Sequence, residues 1–593
     1  MIEPRIYRAA FVPAALALLL VLFSFDRQPP AVPQPNAGDV VFDATSAATQ
    51  ARDLAHAAPD RRMGSRGDDA TAALVQREFR ARRFSTQVDT WSGDDGTKLH
   101  NVIGLRPGRL SRQIVIIAAR DAHGVPDLGG SAADTAALLE LARVLQGRAP
   151  RKTVLLVSTD GSAHGDEGAR RFLEHTAQPS LIDAVIVADQ LGAARSKGPL
   201  VVDWSNDHDR ANLGLARTAQ TALREELGSR PMTDSLLRQV PRMALPIGLG
   251  SQGVLLEGGL QAVRVSGSGE LDPTGSRDLD AERYGKLGRS VVRLYSAIND
   301  GGKPEHGPSS YLTTGTRMLP GWTVSLFALA LLLPPLIASV DALARARRQR
   351  ATVARWFGWI ATGLVALLVG WLLAEALVLV GAVDDPSPAP LQPASVSPGA
   401  AGFAVMLVSL LAVVGVWFVA RRPAAARLGL MSRPGAGAGV AIALVLSVLG
   451  IVVWALNPFA ALVLAPAVHL WMLAALTRVR RSAGFALIAV GALPLALVGL
   501  YYVAHFDLGP VNAAWYAFLL VTGHQAGVVA TLAGCVLLAL LAYVVALVAV
   551  RPDSGPAAPA GRERTSETRA AIFGPGGHSG PGALGSSGPA VRR

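Results

Sequence analysis

Long apolar runs separate this chain into one polar stretch and a series of segments that favour a membrane. The first run, Ala9–Phe25, precedes a long stretch of mixed polarity, and seven more runs fill the second half of the chain. A helix crosses the hydrocarbon core of a bilayer in about 20 residues, so the pattern predicts eight spans. No small-residue cleavage motif follows Phe25, which favours an uncleaved anchor over a signal peptide. The other spans are predicted at Leu319–Val340, Trp356–Val383, Ala401–Ala420, Gly437–Leu456, Phe459–Leu476, Phe485–Val503 and Val528–Val550.

Arginines alternate between the loops that join these spans. They follow the second, fourth, sixth and eighth spans, whereas loops 384–400, 457–458 and 504–527 contain neither lysine nor arginine. Basic residues in short loops stay in the cytoplasm, so the pattern predicts a cell-membrane protein with cytoplasmic termini and an extracytoplasmic segment at 27–317. The short run Val511–Thr522 is predicted to be re-entrant or interfacial.

Four parts follow from this pattern: an anchor (1–26), an extracytoplasmic domain (27–317), a seven-span membrane domain (318–551) and a tail (552–593). The tail is rich in Gly, Pro and Ser and is predicted to be disordered and cytoplasmic. The formal net charge is +12, but residues 27–317 hold 36 basic and 34 acidic residues. The basic excess therefore indicates topology and contact with membrane lipids, and it gives no support for a nucleic-acid partner. The single cysteine, Cys535, can form no intrachain disulfide.

Between the first two spans, short apolar runs alternate with amphipathic ones. Gln113–Ala119, Thr153–Ser158, Ala184–Ala188 and Ala262–Val265 are almost entirely apolar and are predicted to be buried strands. Buried strands that alternate with helices indicate an α/β domain, with a mixed, mostly parallel sheet covered by helices on both faces. The predicted helices are Ala70–Phe84, Thr135–Leu145, Glu167–His175, Ala211–Leu227 and Asp280–Asn299.

Polar residues follow three of the predicted strands directly. Asp121 and His123 follow the first strand, Asp160 follows the second, and Asp189 follows the third. Ligands on such sheets bind beyond the carboxyl ends of the strands, so these four residues are the candidate cleft residues. Asp166, which directly precedes the predicted helix at Glu167, is interpreted as the N-cap of that helix.

The same region resembles the zinc aminopeptidases of metallopeptidase family 28, over about residues 60–300. The resemblance implies a zinc-exopeptidase-like fold. The layout is similar to that of multi-span, membrane-bound members of the family and of the peptidase-like subunit of the GPI-transamidase. The motifs that carry the likeness are RMGSRG (Arg62–Gly67), NVIGLRPG (Asn101–Gly108), LLELARVL (Leu138–Leu145), RKTVLLVSTDG (Arg151–Gly161), GARRFLEH (Gly168–His175) and ADQLG (Ala188–Gly192).

The resemblance also implies where zinc ligands and a catalytic base would lie, and most of these positions hold other residues. Zinc needs at least three protein ligands of the N, S or O type. Only Asp189 matches a ligand position, so the sequence predicts no zinc, no other cofactor and no catalytic residue. The departures are Ala119 for the first histidine, Gly130 for the bridging aspartate (with Asp127 or Asp134 as replacements only if the register shifts), Ser162 and Ala163 for the Glu-Glu pair, and the absence of histidine from Ser266–Asp280.

Two ionisable residues fall inside predicted spans, where such groups are functional candidates. Glu375 lies in the third span, and His469 lies in the sixth, three residues after Pro466. The two residues favour either a polar path through the bundle or, for His469, one satisfied hydrogen bond between helices.

Three functions remain open from the sequence. The leading hypothesis is a catalytically silent peptidase-like domain that binds a protein partner or a peptide ligand on the outer side of the membrane. The alternatives are an active metallo-aminopeptidase with an unorthodox zinc site and a transporter or lipid-handling bundle with an accessory outer domain. Under the leading hypothesis, we expect Asp121, Asp160 and Asp189 to form an anionic pocket for an amino or basic group. Pairing of these carboxylates with Arg120, Arg170 or Arg171 is the alternative to that pocket.

Overall fold

The computed structural model describes residues 3–551 except for short internal stretches, and the predicted tail at 552–593 lies outside the described residues. The described residues form an α/β domain followed by a bundle of apolar helices. The internal stretches that are not described are 37–39, 94–95, 148, 195–197, 229–234, 272–276, 303–306, 384–385, 387–389, 394–396, 428–435 and 478.

A seven-stranded mixed sheet forms the centre of the α/β domain, with the strand order β2-β3-β5-β4-β6-β8-β7. The pairs β5-β4, β4-β6 and β6-β8 are parallel, and the edge pairs are antiparallel. The four strands predicted from apolar runs are these central parallel strands. The strands are β2 (Ser85–Ser92), β3 (Lys98–Arg106), β4 (Leu110–Ala119), β5 (Lys152–Thr159), β6 (Ile182–Asp189), β7 (Leu200–Val202) and β8 (Ala262–Ser266).

Helices cover both faces of this sheet. Consecutive strand residues point to opposite faces, and Ile114, Val115, Ile116 and Ile117 of β4 are all fully buried. The predicted α/β class with a mixed sheet is therefore confirmed. The helices of the domain are α3 (Ala44–Ala57), α4 (Arg66–Ala81), α5 (Ala133–Leu145), α6 (Glu167–His175), α7 (Leu213–Leu227), α8 (Leu236–Ala244), α9 (Ser251–Glu257) and α10 (Ala281–Asp300).

The register of the parallel strands aligns their carboxyl ends. Ala119 of β4 pairs with Thr159 of β5, and Asp189 of β6 pairs with Ser266 of β8. The residues that follow these strands are therefore brought to one edge of the sheet, as the sequence pattern predicts.

A small antiparallel sheet joins the α/β domain to the long apolar helices. It consists of β1 (Asp26–Arg27), β10 (Arg317–Pro320) and β9 (Tyr311–Thr314), in that order. The strand β1 follows the first apolar helix, and β10 runs directly into the next long one. This three-stranded sheet, the stem, thus ties the two ends of the α/β domain together above the bundle.

In the described part of the chain, eight helices are long and apolar enough to cross a membrane, in agreement with the predicted number. The run Val511–Thr522, predicted to be re-entrant or interfacial, lies in a helix of 13 residues, Pro510–Thr522. Its length of about 20 Å is less than the hydrocarbon thickness of about 30 Å. The helices are α1 (Pro4–Ala9) and α2 (Val12–Phe23), which together form the first span, then α11 (Gly321–Arg348), α12 (Ala354–Leu379), α13 (Ala400–Arg427), α14 (Ala436–Leu456), α15 (Pro458–Leu476), α16 (Arg481–His505), α17 (Pro510–Thr522) and α18 (Val528–Ala549).

The α/β domain rests on the bundle through α8, which contacts α15 and α16. The Asn457 side-chain amide donates a hydrogen bond to the Met243 carbonyl at 2.7 Å, and the Tyr502 hydroxyl donates one to the Leu245 carbonyl. Asn457 lies in one of the loops without basic residues. The side of the bundle that faces the α/β domain is therefore the side whose short loops lack arginine.

Candidate functional site

A small cavity lies at the carboxyl edge of the central strands. The space open to a water-sized molecule is about 40 Å³. Its walls come from the ends of β4 and β6, the turn before α6 and the start of α9, and its roof comes from Pro390, Leu391 and Gln392 in the loop between α12 and α13. The cleft is thus built jointly by the α/β domain and the bundle.

The roof, residues 390–392, is held in place by the short helix α17. The Tyr516 hydroxyl donates a hydrogen bond to the Leu391 carbonyl at 2.9 Å. Tyr516 itself packs edge-on against Phe506, with ring centroids 5.6 Å apart, in an apolar cluster that includes Ile247 of the α/β domain. The position of the roof therefore depends on the contact between domain and bundle.

Three of the four predicted cleft residues line this cavity. Asp121, His123 and Asp189 are among its walls, but Asp160 is not. Arg264, which the sequence analysis did not consider, is also in the wall, and its guanidinium pairs with Asp189 at 2.6 Å.

Asp160 has a structural role outside the cavity. Its carboxylate is fully buried and pairs with the fully buried Arg120 at 2.9 Å, and the same guanidinium pairs with Asp68. The second oxygen of Asp160 accepts a hydrogen bond from the Gly161 amide at 2.8 Å. The prediction that Asp160 belongs to the cleft is wrong. The buried guanidinium of Arg120 pairs with this carboxylate and holds it in the turn after β5.

Asp121 keeps one unsatisfied oxygen beside the cavity. Its Oδ2 accepts a hydrogen bond from the Ala163 amide at 3.1 Å, and its Oδ1 is buried with no partner among the described residues. Burial and the nearby charge of Asp160 raise the pKa of Asp121. His123 lies close by, with its Nε2 3.3 Å from the Ser162 hydroxyl.

In the sequence, Asp134 and Asp127 can replace the bridging aspartate only if the register of the resemblance shifts. Both residues line the cavity. Asp134 accepts hydrogen bonds from the Gln190 and Leu191 amides at 2.7 and 2.9 Å, so it fixes the turn after β6. Burial and the charge of Asp189 raise the pKa of Asp134 well above its usual range.

Asp127 occupies the space beside Gly130. A Cβ at Gly130 would lie 2.4 Å from Asp127 Oδ1, so the Asp127 carboxylate fills the volume that a side chain at position 130 would need. Its Oδ2 accepts a hydrogen bond from the Ser131 amide at 2.8 Å, and Oδ1 has no partner in the described part of the chain. Burial raises the pKa of Asp127 as well.

Asp166 is not the side-chain cap that the sequence analysis predicted. Its φ is +57°, in the left-handed region, and its carboxylate makes no capping bond to α6. The left-handed turn points the side chain away from the helix, and Oδ1 accepts a hydrogen bond from the Ser251 hydroxyl at 2.6 Å. Burial raises the pKa of Asp166 to about 6.

The cavity is strongly acidic as a result. Five aspartates line it, against one arginine and one histidine. Burial is the main cause of the raised pKa values of Asp121, Asp127, Asp134 and Asp166, and the charge of Asp189 adds to it at Asp134 and Asp166. The cavity therefore favours a cation or a bound proton. The five aspartates are Asp121, Asp127, Asp134, Asp166 and Asp189.

The residues present do not fit a zinc site of the kind the resemblance implies. Ala119, Ser162 and Ala163 line the cavity at the implied ligand positions, and their side chains offer no imidazole or carboxylate. Among the described residues, no group of three or more His, Cys, Asp or Glu side chains is arranged to hold a metal ion.

An ion-pair network connects the cavity wall to the bundle. Arg264 bonds both to Asp189 and, at 2.9 Å, to the Glu270 carbonyl. The Glu270 side chain is buried and pairs with Arg242 of α8 and with His505 at the end of α16, the latter at 2.9 Å. Burial alone would raise the pKa of Glu270, but the charge of Arg242 and the hydrogen bonds from His505 and Arg242 hold it far below its usual range.

His469 has partners on both ring nitrogens. Its Nε2 is 2.8 Å from the Leu331 carbonyl, and its Nδ1 is 2.6 Å from the Tyr7 hydroxyl. The Leu331 carbonyl lacks its usual helical donor because residue 335 is a proline, which has no N–H. His469 therefore donates to this carbonyl and accepts from Tyr7, which attaches the first span to the bundle.

Glu375 is also engaged by neighbouring side chains. The Trp371 indole N–H donates to its Oε1 at 2.8 Å, and His524 lies 3.8 Å from its Oε2. His469 and Glu375 thus serve contacts between segments, and the structure does not bring them together.

Solved structures similar to this chain are zinc aminopeptidases and glutaminyl cyclases. A zinc aminopeptidase from Bacillus subtilis matches with a TM-score of 0.37 and 12% identity, over 45% of this chain and 98% of that chain. A glutaminyl cyclase from an Acidobacteriales bacterium matches with a TM-score of 0.36 and 18% identity, over 46% of this chain and 99% of that chain. A leucine aminopeptidase precursor from Bacteroides thetaiotaomicron matches with a TM-score of 0.33 and 16% identity, over 45% of this chain and 98% of that chain.

These matches cover less than half of this chain and nearly the full length of each of the three solved structures. No family model and no curated protein matches the chain. At such TM-scores and identities the matches assign neither an activity nor a substrate.

Proposed function

We propose that the cleft binds the amino group of a peptide or protein partner without hydrolysing it. The observation that carries this proposal is a set of buried acceptor oxygens with no donor in the described part of the chain: Asp121 Oδ1, Asp127 Oδ1 and Gln190 Oε1, all on residues that line the cavity. An ammonium group has three N–H donors and no acceptor, so it supplies what these oxygens lack.

Size and charge support the same ligand. A cavity of about 40 Å³ has room for about three water molecules, since each needs roughly 10–15 Å³ of such volume. With the roof in place, this space takes an ammonium group but not the rest of the residue that carries it. The rest of the ligand must therefore lie outside the cavity, beyond the roof at Leu391.

The positions of Ala119, Ser162 and Ala163 in the cavity wall support binding without hydrolysis. Hydrolysis by metal-activated water needs ligands that hold the ion and a base that takes the proton. The described residues around the cavity offer carboxylates but no ligand set of that kind. The function we propose is therefore recognition of an amino terminus or a lysine side chain.

The test is calorimetry on the full-length protein in detergent with the dipeptide amide Ala-Ala-NH2 and its N-acetylated form. We expect binding of the free amine only. We also expect weaker binding after Asp121→Asn and unchanged binding after Asp53→Asn, because Asp53 is an exposed aspartate on α3 that does not line the cavity. Equal binding of the acetylated form would refute the proposal.

A metal arm of the same experiment separates binding from catalysis. The protein is analysed for bound metal as purified and is then assayed for release of alanine with and without added zinc. Stoichiometric zinc, together with hydrolysis that is lost in Asp189→Ala, would overturn the silent cleft in favour of an active metallo-aminopeptidase.

We further propose that the α/β domain and the cleft face the outside of the cell. The loops nearest the α/β domain lack Lys and Arg, and basic loops stay in the cytoplasm. Reporter fusions after Pro390 and Pro556 test this, and we expect them to report opposite sides of the membrane. The same side for both would refute the orientation.

A further inference from the structure

A second cavity lies at the base of the α/β domain, beside the stem. Its volume is about 480 Å³, and its walls come from α7, the start of α8 and the hairpin of β9 and β10. Small-molecule sites typically have volumes of about 300–1,000 Å³. This cavity is therefore large enough for a ligand group of many atoms, and it shares no wall residue with the acidic cleft.

The walls of this cavity carry one uncompensated positive charge. Asp203 pairs with Arg210 at 2.8 Å, and the Arg210 guanidinium lies over the rings of Trp204 and Tyr311, so this pair is neutral and held in place. Arg217 is the other ionisable wall residue, and among the described residues it has no carboxylate partner. The cavity thus has the opposite charge from the acidic cleft.

Arg217 is held by the two residues that follow β1, and only some of its N–H groups are used in these contacts. Its Nη1 donates to the carbonyls of Gln28 and Pro29 at 3.2 and 2.6 Å. Its Nε and Nη2 make no hydrogen bond to any residue that the structure describes. The two contacts fix the guanidinium at the wall and leave its remaining N–H groups for a ligand.

Further donors without partners surround the same space. Gln220 lies three residues after Arg217, on the same face of α7, and Ser235 and Thr314 contribute hydroxyl groups. None of these three side chains has a hydrogen-bond partner in the described part of the chain. Ser235 also occupies the N-cap position of α8 without capping it, so the positive end of that helix adds to the wall. Such a set of donors fits a phosphate group.

Another part of the cavity wall is apolar and belongs to a helix that contacts the bundle. Leu236 and Leu237 line the cavity, and Leu237 is 86% exposed. The helix α8 that carries both residues contacts α15 and α16. A ligand with a phosphate next to a hydrocarbon chain can place its phosphate against the donors and its chain against Leu236 and Leu237.

We propose that this cavity binds an anionic phosphate group, and that its source is the headgroup of a phospholipid in the membrane leaflet next to the α/β domain. The guanidinium of Arg217 and the amide of Gln220 contact the phosphate, and Leu236 and Leu237 contact the start of the acyl chains. The lipid would thereby fix the α/β domain at the membrane surface.

The test uses the full-length protein in nanodiscs of equal parts phosphatidylcholine and phosphatidylglycerol, followed by native mass spectrometry. We expect phosphatidylglycerol to remain bound to the wild-type chain. We expect its occupancy to fall about tenfold in Arg217→Gln, the scale of one lost charge-assisted interaction. Arg224→Gln is the matched control, because Arg224 lies exposed on α7 and does not line the cavity.

A second variant and a soluble probe complete the test. Gln220→Leu removes a donor that makes no hydrogen bond to a described residue, and we expect it to lower the phosphatidylglycerol occupancy as well. Glycerol 1-phosphate tests the headgroup alone: stabilisation by it without lipid retention would assign the site to a soluble phosphate ester and overturn the lipid source. Equal lipid retention and no effect of glycerol 1-phosphate in wild type, Arg217→Gln and Gln220→Leu would overturn the site itself.

Discussion

Replacing Asp166 by Asn tests whether the acidic cleft costs the protein stability. The shift of its pKa from 3.8 to about 6 corresponds to about 3 kcal/mol, since one pKa unit is about 1.36 kcal/mol. The native state holds the proton more tightly than the unfolded state does. Protonation of Asp166 therefore stabilises the native state fully below pH 3.8, and this stabilisation is lost as the pH rises through about 6.

The Asn side chain removes this dependence without changing the local geometry. Asn tolerates the left-handed backbone of position 166, and its oxygen still accepts from Ser251. We expect Asp166→Asn to be more stable than wild type above pH 6 by at most about 3 kcal/mol, and to show no advantage below pH 4. This gain in stability is opposite to the loss that usually follows when a hydrogen-bonded carboxylate is removed.

Hydrogen–deuterium exchange of the full-length protein in detergent measures this difference. At pH 7 to 8, the amides of β6 should be protected by up to about two orders of magnitude more in the variant, which is the equivalent of about 3 kcal/mol. Asp53→Asn serves as the exposed control and should leave protection unchanged. A variant that matches wild type at pH 8, or is less protected at every pH, would refute the raised pKa of Asp166.

Three further changes test the contacts that hold the site in place. Glu270→Gln leaves a buried arginine without its counter-charge, and we expect a loss of about 3–5 kcal/mol, seen as a lower thermal midpoint; an unchanged midpoint would contradict the network. Tyr516→Phe removes the hydrogen bond to Leu391, worth about 1 kcal/mol, and should raise the association rate of Ala-Ala-NH2 about fivefold; an unchanged rate would mean that the roof does not limit entry. Tyr7→Phe should increase deuterium uptake in α1, since hydrogen bonds between membrane helices are worth about 0.6 kcal/mol on average; unchanged uptake would show that the bond to His469 does not hold the anchor.

The sequence predicts those parts of the fold that are buried on both sides. The strands β4, β5, β6 and β8 are apolar along their length because helices cover both faces of the sheet. The eight long helices carry continuous apolar runs of the length that crosses a membrane, and such runs are recognised directly in the sequence. The edge strand β2, with the sequence STQVDTWS, is half exposed and carries no such pattern. The strands of the stem are too short to produce one.

The candidate site could be predicted only in part, because its members depend on side-chain directions and distant contacts. The register of the strands brings Asp121 and Asp189 to the cavity, and strand ends alone predict that. Asp160 is drawn away by Arg120, and Asp166 is turned into the cavity by a left-handed backbone that no local pattern indicates. The roof at Leu391 lies 202 residues from Asp189 along the chain, and only packing of the bundle brings it there.

Proton release on amine binding is the most direct test of the central claim. A bound ammonium favours the ionised carboxylates, so protons held by the cleft should leave when the ligand enters. Calorimetric titration of Ala-Ala-NH2 at pH 6, in two buffers with different ionisation enthalpies, counts these protons. We expect net release of a fraction of a proton or more per amine bound, with tighter binding as the pH rises from 5 to 7. Binding without proton release, or binding that requires added zinc, would contradict it.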